Sequence, residues 1–117
     1  IKGEAYPFGP SPSRSHSGSE LINEMGKHWE QVKWNDTSKD KKHLHEAGLL
    51  KLDCDKALFD LQWQPTLQFE ETIKMTVEWY KHYYKNNDDS MYEFSIGQIE
   101  EYNELATKRQ LSWATND

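Results

Sequence analysis

An apolar repeat at helical spacing in the second half of the chain constrains the fold more than any other feature. Large side chains recur three or four residues apart, at Phe69, Ile73, Val77, Tyr80 and Tyr84. Because an α-helix turns once every 3.6 residues, these side chains share one face. The polar stretch NNDDS then ends the pattern. The spacing predicts a long amphipathic helix that begins at Phe69, with core packing as the ordinary role of its aromatic side chains.

Capping signals predict two further helices. Ser17 and Glu20 have the spacing of a capping box, and apolar residues follow them at helical intervals as far as Trp29. Ser95 and Gln98 have the same spacing near the end of the chain. We therefore expect one helix to start after Ser17 and another to start after Ser95.

Short strands are expected at three places. Residues 1–10 begin as a strand and end in a turn, QVKW at 31–34 has strand character, and GLLKLD at 48–53 is an apolar run of strand length. Asp53 is placed to cap a short helix directly afterwards. The predicted fold class is α+β and mostly helical, with about four helices and two or three short strands.

Length and composition fit one small domain. The 117 residues include five tryptophans and six tyrosines, although only 35% of the chain is hydrophobic, so we expect a small core rich in aromatic side chains. Residues 1–110 are predicted to form the domain, and residues 111–117 a tail. The chain begins with Ile1 instead of an initiator methionine, which favours a fragment or an excised domain.

Charge and cysteine content exclude several classes of partner. The net charge of −6 argues against nonspecific binding to nucleic acid or to an anionic membrane. No apolar run approaches the roughly 20 residues that span a bilayer. The single cysteine, Cys54, cannot form an internal disulfide, which favours a reducing compartment. We expect a cytoplasmic protein with no nucleic-acid and no membrane partner.

Motifs for catalysis and cofactor binding are missing from the sequence. The glycines do not form a phosphate-binding loop, no tyrosine has a lysine four residues later, and Cys54 lacks a cysteine partner. We therefore predict no catalytic residue, no cofactor-binding residue and no metal ligand in this chain.

The histidines of the polar segment HLHEAG remain to be explained. His43, His45 and Glu46 could bind a metal, but a closed zinc site usually needs four protein ligands. They could equally be solvated loop residues. The third possibility is a ligand clamp, because imidazoles donate hydrogen bonds to phosphate and a carboxylate accepts them from hydroxyls. The residue types alone leave these alternatives open.

A series of motifs, taken in order, indicates a family. GEAYPFGP, HLHEAGLLKLD, KALFDLQWQP, FEETIKMTVEWYKHYY and YEFSIGQIEEY follow one another over residues 2–103. The series resembles the C-terminal part of the extended short-chain dehydrogenase/reductase family of nucleotide-sugar epimerases and dehydratases. The YEFSIGQIEEY ending resembles the branch that acts on CDP-sugars.

The resemblance implies a two-domain, homo-oligomeric parent enzyme. Its upstream Rossmann domain would hold NAD and the Tyr-x-x-x-Lys pair, and the parent would be a lyase that removes water from a nucleotide sugar. This chain would be the substrate-binding part, which binds a CDP-sugar or a related nucleotide sugar but no cofactor and is not catalytic by itself. The alternative is a stand-alone binding or interaction module derived from that domain.

The resemblance also implies roles for single residues. His43 stands where related epimerases have a diphosphate-binding arginine, Glu46 stands where they have a ribose-binding aspartate, and His45 completes the substrate-binding set. Two departures from the family pattern bear on the fold. Gln62 replaces a usual glycine at a helix end, where a left-handed backbone costs a non-glycine residue about 1 kcal/mol. Gln68 replaces a usual serine cap ahead of the long helix.

Overall fold

Five helices make up the regular secondary structure of the described residues. The structure, a computed structural model, describes residues 2–11, 15–37, 51–86 and 89–115. The helices are α1 (Gly18–His28), α2 (Asp55–Leu61), α3 (Phe69–Asn86), α4 (Met91–Lys108) and α5 (Ser112–Thr115). The mostly helical character of the prediction is therefore confirmed.

The predicted strands are absent from the described ranges. Residues 2–11, 31–34 and 51–53 have no strand assignment, and residues 48–50 lie outside the described ranges. A strand needs the backbone of a neighbouring strand as its hydrogen-bond partner. The strand prediction is therefore wrong for residues 2–10, 31–34 and 51–53, whose composition suits a sheet but which have no strand beside them within the described ranges.

Helix α1 begins with the predicted capping box. The Ser17 hydroxyl accepts a hydrogen bond from the Glu20 N–H at 3.2 Å, and the Glu20 carboxylate accepts one from the Ser17 N–H at 2.7 Å. The other end of α1 is tied to α3, because Lys81 Nζ donates to the His28 carbonyl at 3.2 Å. Trp29 and Tyr84 also meet there, with ring centroids 5.8 Å apart. Helix α1 therefore packs along α3.

Helix α3 begins at Phe69, as predicted, and is packed by α1 and α4. Its buried residues are Ile73 and Val77, and Val77 is only 1% exposed. The other fully enclosed apolar residues in the described part of the chain are Ala57 and Ala106. The predicted small core is confirmed, but its aromatic character is not, because the aromatic side chains lie half-buried or exposed around it.

Helix α4 begins at Met91, ahead of the predicted start, so the capping assignment at Ser95 is wrong. Ser95 Oγ instead accepts a hydrogen bond from Trp79 Nε1 at 3.0 Å, and Gln98 Nε2 donates to the Met75 carbonyl at 2.7 Å. Both side chains therefore hold α4 against α3. The residue before the helix is Ser90, whose backbone is left-handed at φ 66° and whose side chain makes no capping hydrogen bond.

Helix α2 begins and ends close to the predicted positions. Asp53 Oδ1 accepts from the Asp55 N–H at 2.9 Å, although the residue directly before the helix is Cys54. Gln62 ends the helix in the left-handed region, at φ 54° and ψ 29°. The left-handed helix end expected at this departure from the family pattern is therefore confirmed.

The end of α4 is closed by a second left-handed glutamine. Gln110 has φ 56°, its N–H donates to the Thr107 carbonyl at 3.0 Å, and the Leu111 N–H donates to the Ala106 carbonyl at 3.1 Å. These two bonds form a Schellman motif. Within the expected tail at 111–117, Ser112–Thr115 form the single turn α5, and Trp113 stacks 5.9 Å from Tyr102 of α4. The domain boundary at residue 110 stays a prediction.

Candidate functional site

The predicted substrate-binding residues His43, His45 and Glu46 lie outside the described residues. The structure places the segment that follows them, where Leu52 and Cys54 approach Gly9. A β-carbon at Gly9 would lie 3.2 Å from Leu52 Cδ1 and 3.3 Å from Leu52 Cβ. Any larger residue would have to displace Leu52, so Gly9 permits the close approach of these two segments.

A tyrosine links the N-terminal segment to α2. The Tyr6 hydroxyl lies 3.1 Å from Glu4 Oε2 and 3.1 Å from Asp60 Oδ2, and its single hydrogen can be donated to one carboxylate at a time. Partial burial, together with hydrogen bonds to Asp60 and Glu4, raises the pKa of Tyr6 to about 12. Lys56 Nζ lies 4.5 Å from the centre of the Tyr6 ring and donates to the Ala5 carbonyl at 3.2 Å. These contacts fasten the N-terminal segment to α2.

Large apolar side chains remain exposed on and beside α2. Phe8 packs edge-on against Trp63 at 4.9 Å but is still 50% exposed, and Phe59 is 80% exposed. The group that we call the α2 surface comprises Phe8, Leu52, Leu58, Phe59 and Leu61, all of which are exposed. Leu58 and Leu61 lie about one turn apart and share a face of α2, and an apolar patch of this kind is typical of a surface that packs against another protein where it is contiguous.

A cavity of ≈ 460 Å³, which we call the α3 cavity, opens where α3 begins. Its wall includes His16, which stacks flat on Phe69 with ring centroids 3.7 Å apart. Arg109 also lines it and donates to the Thr66 carbonyl and, at 2.6 Å, to Glu71 Oε2. The Arg109 hydrogen bond lowers the pKa of Glu71 below its ordinary value, and Glu71 in turn raises the pKa of Arg109. The wall of the cavity therefore includes an arginine that is held in place by its ion pair with Glu71.

Local sequence patterns do not predict the Arg109–Glu71 pair or the Tyr6 contacts. Arg109 is 38 residues from Glu71, and Tyr6 is 54 residues from Asp60. Neither pair has a local spacing signal, because helix and turn patterns connect only residues a few positions apart.

A groove of ≈ 510 Å³ between α3 and α4 is the second concave surface. Aromatic side chains form much of it, namely Trp79, Tyr80 and Tyr102, and none of the described residues that line it is charged. Its polar residues Ser95 and Gln98 already bind α3. The groove therefore offers apolar contact but few free groups that would orient a polar ligand.

The described residues contain neither a metal-binding cluster nor a helix that could span a membrane. Over residues 2–11, 15–37, 51–86 and 89–115, no three His, Cys, Asp or Glu side chains come together in a way that could hold a metal ion. Over the same ranges, no helix combines the length and apolar character needed to cross a membrane.

Sequence comparison connects the chain to two dehydratases. It is 31% identical over 86 residues to CDP-glucose 4,6-dehydratase of Salmonella typhimurium strain LT2, a match that covers 73% of this chain and 23% of the relative. It is 31% identical over 80 residues to dTDP-D-glucose 4,6-dehydratase of Mus musculus, which covers 66% of this chain and 22% of that relative. No protein-family profile and no solved structure matches the chain.

The chain spans less than a quarter of the length of the curated relatives that it matches. Both relatives carry the name of a 4,6-dehydratase, and they differ in the nucleotide named with the glucose. The resemblance predicted from the series of motifs is thereby confirmed, because the chain is similar to a part of two nucleotide-sugar 4,6-dehydratases.

Proposed function

We propose that this chain is the substrate-binding part of an enzyme like CDP-glucose 4,6-dehydratase and is not catalytic by itself. The observation that carries the proposal is the 31% identity to CDP-glucose 4,6-dehydratase over 86 residues. The second relative acts, by its name, on a dTDP-sugar. Two relatives therefore support the type of reaction. The preference for a cytidine nucleotide is supported by one relative and by the YEFSIGQIEEY ending.

The proposed parent reaction removes one water from CDP-glucose and is redox-neutral overall. C4 of the hexose is oxidised to a ketone, C6 loses its hydroxyl group and becomes a methyl group, and the product is CDP-4-keto-6-deoxyglucose. The chain contains no dinucleotide-binding motif and no Tyr-x-x-x-Lys pair. The residues present here therefore do not fit NAD, and no chemical step is assigned to them.

The proposed task of this chain is to hold the nucleotide. His43 and His45 supply ring N–H donors for the diphosphate oxygens, and Glu46 supplies an acceptor for the ribose hydroxyls. These residue types suit a nucleotide diphosphate, because charge-assisted hydrogen bonds are stronger than neutral ones. The three residues act as binding residues and take no part in bond making or breaking.

The α2 surface supports the presence of a partner domain. Its exposed side chains include Phe59 at 80% and Leu52 at 53% exposure. Complete burial of a fully exposed Leu or Phe side chain contributes about 1.5–3 kcal/mol, and a half-exposed side chain contributes about half as much. We propose that the upstream Rossmann domain of the parent covers this surface, and that the parent forms a homo-oligomer.

Isothermal titration tests whether this chain needs the upstream domain to bind the nucleotide. The 117-residue chain alone is expected to bind CDP and CDP-glucose weakly or not at all, since half of the pocket is missing. A protein made from the whole reading frame that contains this chain is expected to convert CDP-glucose with loss of one water, measured by mass spectrometry. Micromolar affinity of the chain alone would favour the stand-alone binding module instead.

A double substitution tests the proposed clamp in that longer protein. His43→Ala/Glu46→Ala is expected to weaken binding of CDP-glucose about tenfold or more, because hydrogen bonds to charged groups contribute roughly 1.5–3 kcal/mol. Glu101→Ala on the exposed surface of α4 removes the same net charge and should leave the affinity unchanged. Full affinity in the double variant would exclude the clamp but not the dehydratase activity.

A further inference from the structure

We propose that the groove between α3 and α4, which we call the α3–α4 groove, binds an amphipathic helix of another protein whose apolar face is bordered by lysine or arginine. Three observations converge there. They are an exposed apolar stripe along α4, a groove wall rich in tryptophan and tyrosine, and a row of glutamates on the face of α4 next to the stripe. The proposal does not depend on the proposed function.

Helix α4 carries an apolar stripe that the described part of the chain leaves uncovered. Tyr92, Ile96 and Ile99 are 76%, 38% and 55% exposed. They lie at i, i+4 and i+7, so they share one face of the helix. Ile99 also lines the groove, and the half-exposed Tyr80 of α3 lines it from the other side. The stripe and the groove are therefore continuous at Ile99, and the helical spacing of the stripe suits packing against a second helix.

The wall of the α3–α4 groove has the composition of a protein interface. Trp79, Tyr80 and Tyr102 form much of it, together with Met75 and Leu67. Tryptophan, tyrosine and methionine are enriched in protein interfaces, and tryptophan and tyrosine are prominent among the residues that dominate their binding energy. This composition favours a protein as the ligand of the groove.

Polar donors of the groove are already used within the fold. Thr72 Oγ1 donates to the Gln68 carbonyl at 2.9 Å, and Thr76 Oγ1 donates to the Thr72 carbonyl at 2.8 Å. The Trp79 indole and the Gln98 amide donate across the contact between α3 and α4. A polar small molecule would therefore find few partners. A strand-like peptide pairs with the edge of a sheet, and the described ranges contain no strand. A helix that lies in the groove needs only apolar contact.

A row of glutamates along α4 selects the charge of the partner. Glu93, Glu100 and Glu104 are exposed and lie at i, i+7 and i+11, on the face next to the stripe. None of the three forms a salt bridge with another described residue. Lysine or arginine beside the apolar face of a partner helix would pair with this row, and such complementarity steers association. A second copy of the chain would instead bring two net charges of −6 together.

A synthetic helix tests the groove. The probe is a fluorescein-labelled peptide of about 18 residues, roughly five turns, with leucines on one face and lysines on the other. Its fluorescence anisotropy is expected to rise to saturation as the 117-residue chain is added. A peptide with glutamate in place of each lysine should bind about tenfold more weakly or less, because it is repelled by the row on α4. Absence of saturable binding, or equal affinity for the glutamate peptide, would overturn the proposal.

Paired variants test whether the peptide binds at the groove. Ile99→Lys places a positive charge on the stripe and should weaken binding about tenfold or more. Phe59→Lys makes the same change of charge at an exposed apolar residue of the α2 surface and should leave the affinity within about twofold of the parent chain. Tyr80→Ala, on the α3 side of the groove, should also weaken binding and does not alter α4. Equal losses in Ile99→Lys and Phe59→Lys, or full affinity in Tyr80→Ala, would refute the site.

Charge variants and sedimentation test the choice of partner. Glu100→Gln/Glu104→Gln should weaken binding of the lysine peptide about threefold or more and reduce its dependence on salt. Glu30→Gln/Glu70→Gln removes the same charge from exposed positions outside α4 and should bind as the parent chain does. Equal affinity in the two double variants would refute the role of the row on α4. Sedimentation velocity should show a monomer, and a dimer that is lost in Ile99→Lys would assign the groove to a second copy and overturn the proposed partner.

Discussion

Gln62 holds the end of α2 in the left-handed region, at φ 54° and ψ 29°, and its replacement by glycine should stabilise the chain. A β-carbon in this conformation costs about 1–2 kcal/mol, which glycine avoids. The Gln62 side chain is exposed and makes no hydrogen bond to the described residues, whereas the contact from Ser112 is to its backbone carbonyl at 3.2 Å. Little is therefore lost with the side chain.

The stability gained by Gln62→Gly is partly offset by an effect on the unfolded chain. Glycine makes the unfolded chain more flexible, which takes back roughly 0.4–1 kcal/mol. The expected net effect of Gln62→Gly is about 0.5–1 kcal/mol of added stability. For a domain of this size, that corresponds to a rise in Tm of roughly 2–5 °C. Thermal unfolding followed by circular dichroism at 222 nm would measure it, because the described secondary structure is helical.

Two control variants separate the backbone effect from the loss of a side chain. Gln62→Ala keeps the β-carbon, so its Tm should stay close to that of the parent chain. Gln64→Gly makes the same change two residues later, where φ is not positive, and should lower Tm. A Gln62→Gly variant that melts no higher than Gln62→Ala would refute the reasoning.

Two further predictions concern the other charged and capping contacts. Ser17→Ala should lower the free energy of unfolding by about 1 kcal/mol, because the Glu20 N–H loses its acceptor. Urea unfolding would measure this change. The neighbouring substitution Ser19→Ala is the control and should lower the free energy of unfolding by less. The Arg109 hydrogen bond holds the pKa of Glu71 in the folded chain below its value in the unfolded chain. The ion pair therefore stabilises the fold fully when the pH is above the unfolded-state pKa. This contribution is lost as the pH falls through the folded-state pKa. Glu71→Gln should therefore be less stable than the parent chain at neutral pH and should lose less stability on acidification. An equal acid loss in both proteins would contradict this assignment.

Local patterns predicted the parts of the fold that local contacts build. The apolar repeat located the start of α3 at Phe69 because that helix is packed from two sides and needs a continuous apolar face. The Ser17 capping box was found because both of its hydrogen bonds connect residues three positions apart. At Ser95 the same spacing was misleading. The Ser95 side chain is taken by Trp79, 16 residues away, and no spacing rule reports such a contact.

The candidate sites also differ in whether the sequence could predict them. His43, His45 and Glu46 were selected by residue chemistry and by resemblance, and their roles stay predictions because they lie outside the described residues. The α3 cavity could not be predicted, since it is assembled from parts of the chain as far apart as His16 and Arg109. Gln68 was visible in the sequence as a departure from the usual serine, and at the start of α3 its N–H donates to Glu71 Oε1 at 2.9 Å.

The attachment of the N-terminal segment to α2 has a consequence for the order of folding. Tyr6 meets Asp60 across 54 residues and Lys56 meets the Ala5 carbonyl across 51, whereas α3 and α4 are joined by a short connection. Closing a longer loop costs more chain entropy before any contact rewards it. We therefore expect the α3–α4 hairpin to form before the N-terminal segment docks on α2. Amide hydrogens of α2 should then exchange with solvent sooner than those around Val77.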